Sequence, residues 1–142
     1  MLLVLGVIIV GIAVAIGINM MSSGAVEANR NAVFSDVTNL AAKAQQHFMK
    51  PTAMGGGDSD FNGFTLGTSD QSNANGTFKI TATRPATLAA ALAVATTAIT
   101  ASSDSVFIIG TGKAGTKGND NSNPPCVLSA VGPTATLGLT LN

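Results

Sequence analysis

The sequence predicts an α+β fold in which a long N-terminal α-helix, the stalk, packs in its second half on a small antiparallel β-sheet head. Three observations predict it. The first eighteen residues carry no charge, no proline or turn cluster interrupts the chain from Asn19 until Pro51, and beyond Gly55 turn signals cut the chain into short strand-like segments.

Met1 to Ile18 reads MLLVLGVIIVGIAVAIGI, without a side-chain hydrogen-bonding group. As a helix it is roughly 27 Å long, close to the hydrocarbon thickness of a bilayer. Burying about ten large aliphatic side chains is worth on the order of 15–30 kcal/mol gross, so lipid or other helices must cover this segment. A secretory signal peptide would open on a basic segment, and here no positive charge precedes Arg30. A plain membrane anchor satisfies the length and the apolarity.

After Asn19 the pattern turns amphipathic: Val26, Val33, Val37, Leu40, Ala44 and Phe48 recur at spacings of three, four or seven. One helix of about 75 Å is expected, running straight through to Pro51. His47 and Lys50 fall in its last turn, where cations suit the helix dipole, and Gly55, Gly56 and Gly57 read as a flexible exit. The chain thus divides into an apolar helix half (1–25), an amphipathic half that packs on the head (26–51), and a β-rich head (52–142) with a short helix near 86–100.

At about 100° per residue, Gly6, Ala13, Gly17 and Gly24 fall within about 40° of one another and form a groove where a second helix can approach closely. Each glycine costs roughly 0.8–1 kcal/mol of helix stability relative to alanine. The stretch from Gly11 to Gly17 is where unwinding is expected.

In the head, Phe61 to Leu66, Thr77 to Thr83, Ser105 to Ile109, Cys126 to Val131 and Thr134 to Leu141 read as strands. Asn75-Gly76 before TFKITAT reads as a hairpin turn. PATLAAALAVATTAITA, from Pro85, reads as a short helix with Pro at its first position. Gly110 to Pro125, GTGKAGTKGNDNSNPP, reads as a long polar surface loop.

A helix that is apolar and then amphipathic, followed by a Gly-rich loop and a small β-rich head, resembles type IV pilins and the related pseudopilins of type II secretion. The stretch VEANRNAVFSDVTNLAAKAQQHFMKPTAMGGG, Val26 to Gly57, resembles the helix-to-loop junction of a bacterial pilin-like group. Two departures stand out. Leu5 occupies the place where most pilins carry a glutamate that pairs with a neighbour's N-terminal amine, and the helix lacks the proline that pilins usually carry in the twenties. Either assembly does without that ion pair or the mature N-terminus is not Met1.

The resemblance implies a structural subunit of an extracellular type IV pilus-like filament on the cell surface, with an inner-membrane pool before assembly. Its partners would be copies of itself, with a cytoplasmic assembly ATPase, a membrane platform protein and a prepilin peptidase. The assembly interface would comprise Met1, Leu5, Gly6, Gly11, Ala13, Gly17 and Gly24, with register set by the small-residue stripe and by Glu27 or Arg30. Two other functions fit: a pseudopilin of a secretion piston, or a monomeric membrane-anchored binding module.

Seven basic residues balance seven acidic ones and no basic stripe occurs, which argues against nucleic acid as a partner. Chemistry has little to work with. Asp58-Ser59-Asp60-Phe61-Asn62-Gly63 matches the start of a calcium-binding EF-hand loop, making Asp58, Asp60 and Asn62 a weak calcium candidate, but Ser69 stands where the bidentate glutamate belongs. Gly110 and Gly115 are spaced as in a phosphate-binding loop, without its Gly-Lys-Ser/Thr. His47 is the sole histidine and reads as a solvated or a helix-end residue; Cys126 is the sole cysteine and reads as a buried, inert thiol. No cofactor and no enzymatic activity are expected. Asn75-Gly76-Thr77 is an acceptor sequence for glycosylation.

Overall fold

A computed structural model describes residues 2–113, 126–132 and 140–141 of the chain. Helix α1 runs unbroken through Leu2–Met49, 48 residues, or roughly 72 Å. The expected unwinding between Gly11 and Gly17 does not occur. A glycine costs about 1 kcal/mol in a helix, whereas a backbone group left unpaired in apolar surroundings costs several times that, on the order of 2–7 kcal/mol.

After a 3-10 turn (Thr52–Met54) and a single helical turn α2 (Thr68–Gln71), the chain forms β1 (Gly76–Thr81), helix α3 (Leu88–Ala93), β2 (Val106–Gly112), β3 (Cys126–Val131) and β4 (Thr140–Leu141). The strands make one antiparallel sheet in the order β1-β2-β3-β4. The architecture is the expected α+β one: a long helix packed on a small antiparallel sheet. Of the strand predicted over Thr134 to Leu141, residues 134–139 lie outside the described residues, as does most of the predicted polar loop.

Side chains alternate across the pleat. Phe78, Ile80, Val106, Ile108, Val127 and Val131 face α1, where Val33, Val37, Leu40, Ala41 and Ala44 meet them in one buried core. Ile109, Cys126 and Leu128 point the other way and are covered by Ala91 and Leu88 of α3. The sheet is therefore sandwiched between the two helices.

Gly110, in the middle of β2, governs how closely α1 can lie. A Cβ there would fall 2.5 Å from Val37 Cγ2 and 2.7 Å from Val33 Cγ1, so only glycine lets the two valines seat against the strand. The phosphate-loop spacing that begins at Gly110 is thus a packing feature.

The three glycines after α1 are not a flexible exit. Gly55 takes the left-handed conformation at φ 78, and the chain then folds back over the end of α1. The N–H groups of Gly57, Asp58 and Ser59 donate to the carbonyls of His47, Lys50 and Phe48 at 2.8, 3.0 and 2.8 Å. These bonds satisfy carbonyls that a helix end leaves without partners. A Cβ on Gly56 would lie 2.0 Å from the Lys50 carbonyl oxygen, and one on Gly57 1.7 Å from that of Asp60, so the cap needs its glycines.

Two predicted elements give way to each other. The Pro85 helix is confined to α3, opened by the Thr87 hydroxyl accepting from the Ala90 N–H at 3.2 Å. Beyond Val94 the β-branched Thr96, Thr97, Ile99 and Thr100 favour extended backbone. That stretch pairs with the segment predicted as a Phe61 to Leu66 strand, through Leu66 N–H to Thr97 O, Ile99 N–H to Phe64 O and Gly63 N–H to Ile99 O. The result is an irregular ribbon holding a single isolated bridge, Thr65 to Ala98, in place of a regular strand. Asn75-Gly76 does not sit at the centre of a two-residue hairpin either: Gly76 is already the first residue of β1, paired with Gly112. The turn before it is closed by Asn73, whose Oδ1 accepts from the N–H groups of Asn75 and Gly76.

Ser129, on the α1 side of β3, is 2% exposed and its hydroxyl has no partner. Replacing such a group by an apolar one of similar shape removes a desolvation cost. Chemical denaturation of the detergent-solubilised chain should show Ser129→Ala unchanged or stabilised by about 1 kcal/mol. Gly110→Val should lose about 1–3 kcal/mol through overpacking. A Gly110→Val chain as stable as the parent contradicts the packing described.

Candidate functional site

The first half of α1 has no cover from the described residues. From residue 3 to residue 25 every side chain described is exposed, and thirteen large apolar ones between Leu3 and Met21 are 54% to 87% exposed. Contact with the head begins at half-buried Val26 and becomes full burial at Val33. Among the described residues no helix is long and apolar enough to cross a membrane. The continuously described apolar run, residues 3–18, is about 24 Å long as a helix, against about 30 Å of hydrocarbon.

Gly6, Ala13, Gly17 and Gly24 lie along one face of this bare half. A Cβ built on Gly6, Gly11, Gly17 or Gly24 meets nothing within 4 Å, so no contact within the chain requires glycine at these places. Projected at 100° per residue, the stripe points about 170° away from the face on which Val33, Val37, Leu40 and Ala44 meet the sheet. Gly11 lies about 140° and exposed Leu5 about 100° off the stripe by the same projection. Met1 lies outside the described residues. Glu27 and Arg30 meet each other, at 4.0 Å, with Arg30 the more buried partner. An exposed pair of that kind contributes little.

Three polar residues that sequence reading passed over fasten the second half of α1 to the head. Asn29 donates to the Asn75 carbonyl at 2.9 Å and accepts from the Lys113 N–H at 3.2 Å. Asp36 Oδ2 accepts from the side-chain amides of Asn73 and Asn75, both at 2.8 Å. Lys43 binds both oxygens of Asp70, at 2.7 and 2.8 Å. The three stand seven residues apart, which puts them within about 40° on one helix face. That spacing, flanking the apolar stripe, was the available signal. The contacts make the head a fixed load on residues 29–43 and leave residues 3–25 outside its reach.

The remaining sequence candidates serve the fold. Asp60 accepts from the Ser102 hydroxyl, from the Ser103 N–H at 2.8 Å and from the Asn62 N–H at 2.8 Å. These bonds, that of Ser102 foremost, hold its carboxyl below the ordinary value of 3.8. Asp58 and Ser59 adopt left-handed backbone as part of the α1 cap. Among the described residues no three His, Cys, Asp or Glu side chains stand together as metal ligands. His47 is not simply solvated: half-buried, its Nε2 lies 3.1 Å from the Asn62 carbonyl and its ring 5.5 Å from that of Phe64. Cys126 is buried, and burial pushes its thiol up to about 11 against an opposing hydrogen bond with Thr111. Asn75, the glycosylation candidate, is half-buried with its amide on Asp36.

No protein-family model, curated protein or solved structure matches this chain.

Because Asp60 has a lowered folded pKa, its contribution is present above the unfolded value and is lost as the pH falls through the folded one. Asp60→Asn should therefore lower the melting temperature at pH 7. The gap to the parent should close as the pH drops below the ordinary 3.8. A gap that stays constant down to pH about 2 would show that the carboxylate's charge plays no part.

Proposed function

We propose that the chain is the structural subunit of an extracellular type IV pilus-like filament, polymerising by burial of its N-terminal helix among identical helices. The observation that carries this reading is the bare half of α1. Its thirteen exposed large side chains lie on a helix whose other half is packed and clamped, and no other described residue covers them.

The open glycines favour helices over lipid as the final cover. In lipid an alanine at each position would be better by roughly 0.8–1 kcal/mol, while a helix neighbour gains from the close approach that glycine allows. The stripe faces away from the head, so a partner can reach it without meeting the sheet. Before assembly the same half is stored at the inner membrane, where bilayer thinning compensates a short apolar span. Moving from lipid to neighbouring helices then exchanges one apolar cover for another, and packing decides the outcome. A membrane platform protein and an assembly ATPase supply that transfer, and a prepilin peptidase the mature end. No step of this work is catalysis by the chain.

Gly17 offers the sharpest test. Gly17→Leu should abolish filaments in sheared surface material while the chain stays in the membrane fraction, and Gly17→Ala should still assemble. If Gly17→Leu assembles like the parent, the groove is not an interface. A parent chain found only as a monomer in detergent-solubilised membranes would overturn the filament itself.

A further inference from the structure

The head carries apolar surface at one end and a hollow at the other. Among the described residues beyond Met21, the large apolar side chains left exposed are Phe34, on the flank of α1, and Met49 and Met54, at 73% and 67% exposure. The two methionines sit where α1 ends and the capping turn begins, at the end of the head farthest from the bare helix. Flanking Thr52 and Ala53 are exposed as well, so this end forms a protruding knob. At the stalk side of the head, where β1 begins and β2 ends, lies a hollow of about 370 Å³ bordered by Ala74, Gly76, Thr77, Thr111 and Gly112. Apart from Asn73 and Lys113 at its border, its lining is small side chains and backbone, suited to receiving flexible methionines, which fill irregular gaps.

The lengths agree. Asn29 is fastened to both walls of the hollow, through Asn75 and Lys113, and the twenty residues from Asn29 to Met49 span roughly 30 Å of helix. The bare half, residues 3–25, spans roughly 35 Å. A copy displaced along the helix axis by about 30 Å therefore sets its hollow over the knob of the copy below. That twenty-residue stagger sets its residues 3–25 beside residues 23–45 of that copy, the two helices about 8–10 Å apart. A contact between two different patches of one molecule does not close on itself and propagates as an open filament.

We infer that the Met49–Met54 knob of one subunit seats in the Ala74–Gly112 hollow of the next, an axial head-to-head contact that fixes the stagger between copies. This inference rests on the filament reading, and the test separates the two. Cys126 is 1% exposed, so it will not react on the folded chain. A Met54→Cys, Ala74→Cys double variant, oxidised as sheared filaments, should give a ladder of covalent multimers on a non-reducing gel, and neither single variant should. Filaments of the double variant without a ladder overturn the contact and leave the filament standing. A parent chain that yields no filaments removes both. Should the double variant fail to assemble, a Met49→Asp, Met54→Asp chain decides, its fold checked by an unchanged melting temperature. Filament yield reduced about tenfold or more supports the contact, and parental yield overturns it.

Discussion

Val33 and Val37 seat on Gly110, and the rest of the molecule is arranged around that contact. Because β2 offers no Cβ there, α1 lies directly on the sheet, and the residues that follow at helical spacing, Leu40, Ala41 and Ala44, fall into the same core. The clamp of Asn29, Asp36 and Lys43 secures the flank, and the folded-back glycines close the end of the helix. All of these hold the chain between Asn29 and Lys50. Among the described residues none reaches back over residues 3–25, and the first half of the helix is left uncovered as a direct result.

A bare apolar helix attached to a lightly charged head has few stable fates. Burial of this segment is worth on the order of 15–30 kcal/mol gross, more than the whole net stability of an ordinary domain, which is about 5–15 kcal/mol. Covering it therefore dominates where the chain resides. Assembly, on this account, is the continuation of folding between chains: the same apolar spacing that packs Val33 to Ala44 on a sheet leaves Gly6 to Gly24 open for a neighbour.

Much of this was legible in the residues. The apolar run, the change to amphipathic spacing after Asn19 and the proline stop at Pro51 specify α1, because each is a local pattern with a local cause. The strands of β1, β2 and β3 were visible for the same reason. What escaped depends on residues far apart in the chain. Gly55 to Gly57 look like a loose linker until the carbonyls of His47, Lys50 and Phe48 are found accepting from the N–H groups of Gly57, Asp58 and Ser59. Thr96 to Thr100 look like the tail of an alanine-rich helix until the backbone of Gly63 to Leu66 pairs with them. Gly110 reads as the start of a polar loop until Val33 and Val37 are placed above it. On the candidate site, the small-residue stripe was readable from spacing alone. The seven-residue spacing of Asn29, Asp36 and Lys43 was readable too, but not their partners, which lie more than twenty residues away in the chain.

The central claim is that residues 3–25 are covered by copies of themselves. An electron cryomicroscopy reconstruction of filaments sheared from the cell surface measures this directly. It should show the first half of α1 at the filament axis, each helix about 8–10 Å from neighbouring α1 helices, with the heads outside. Filaments that lack this chain, or that hold it with residues 3–25 facing solvent, would contradict the account.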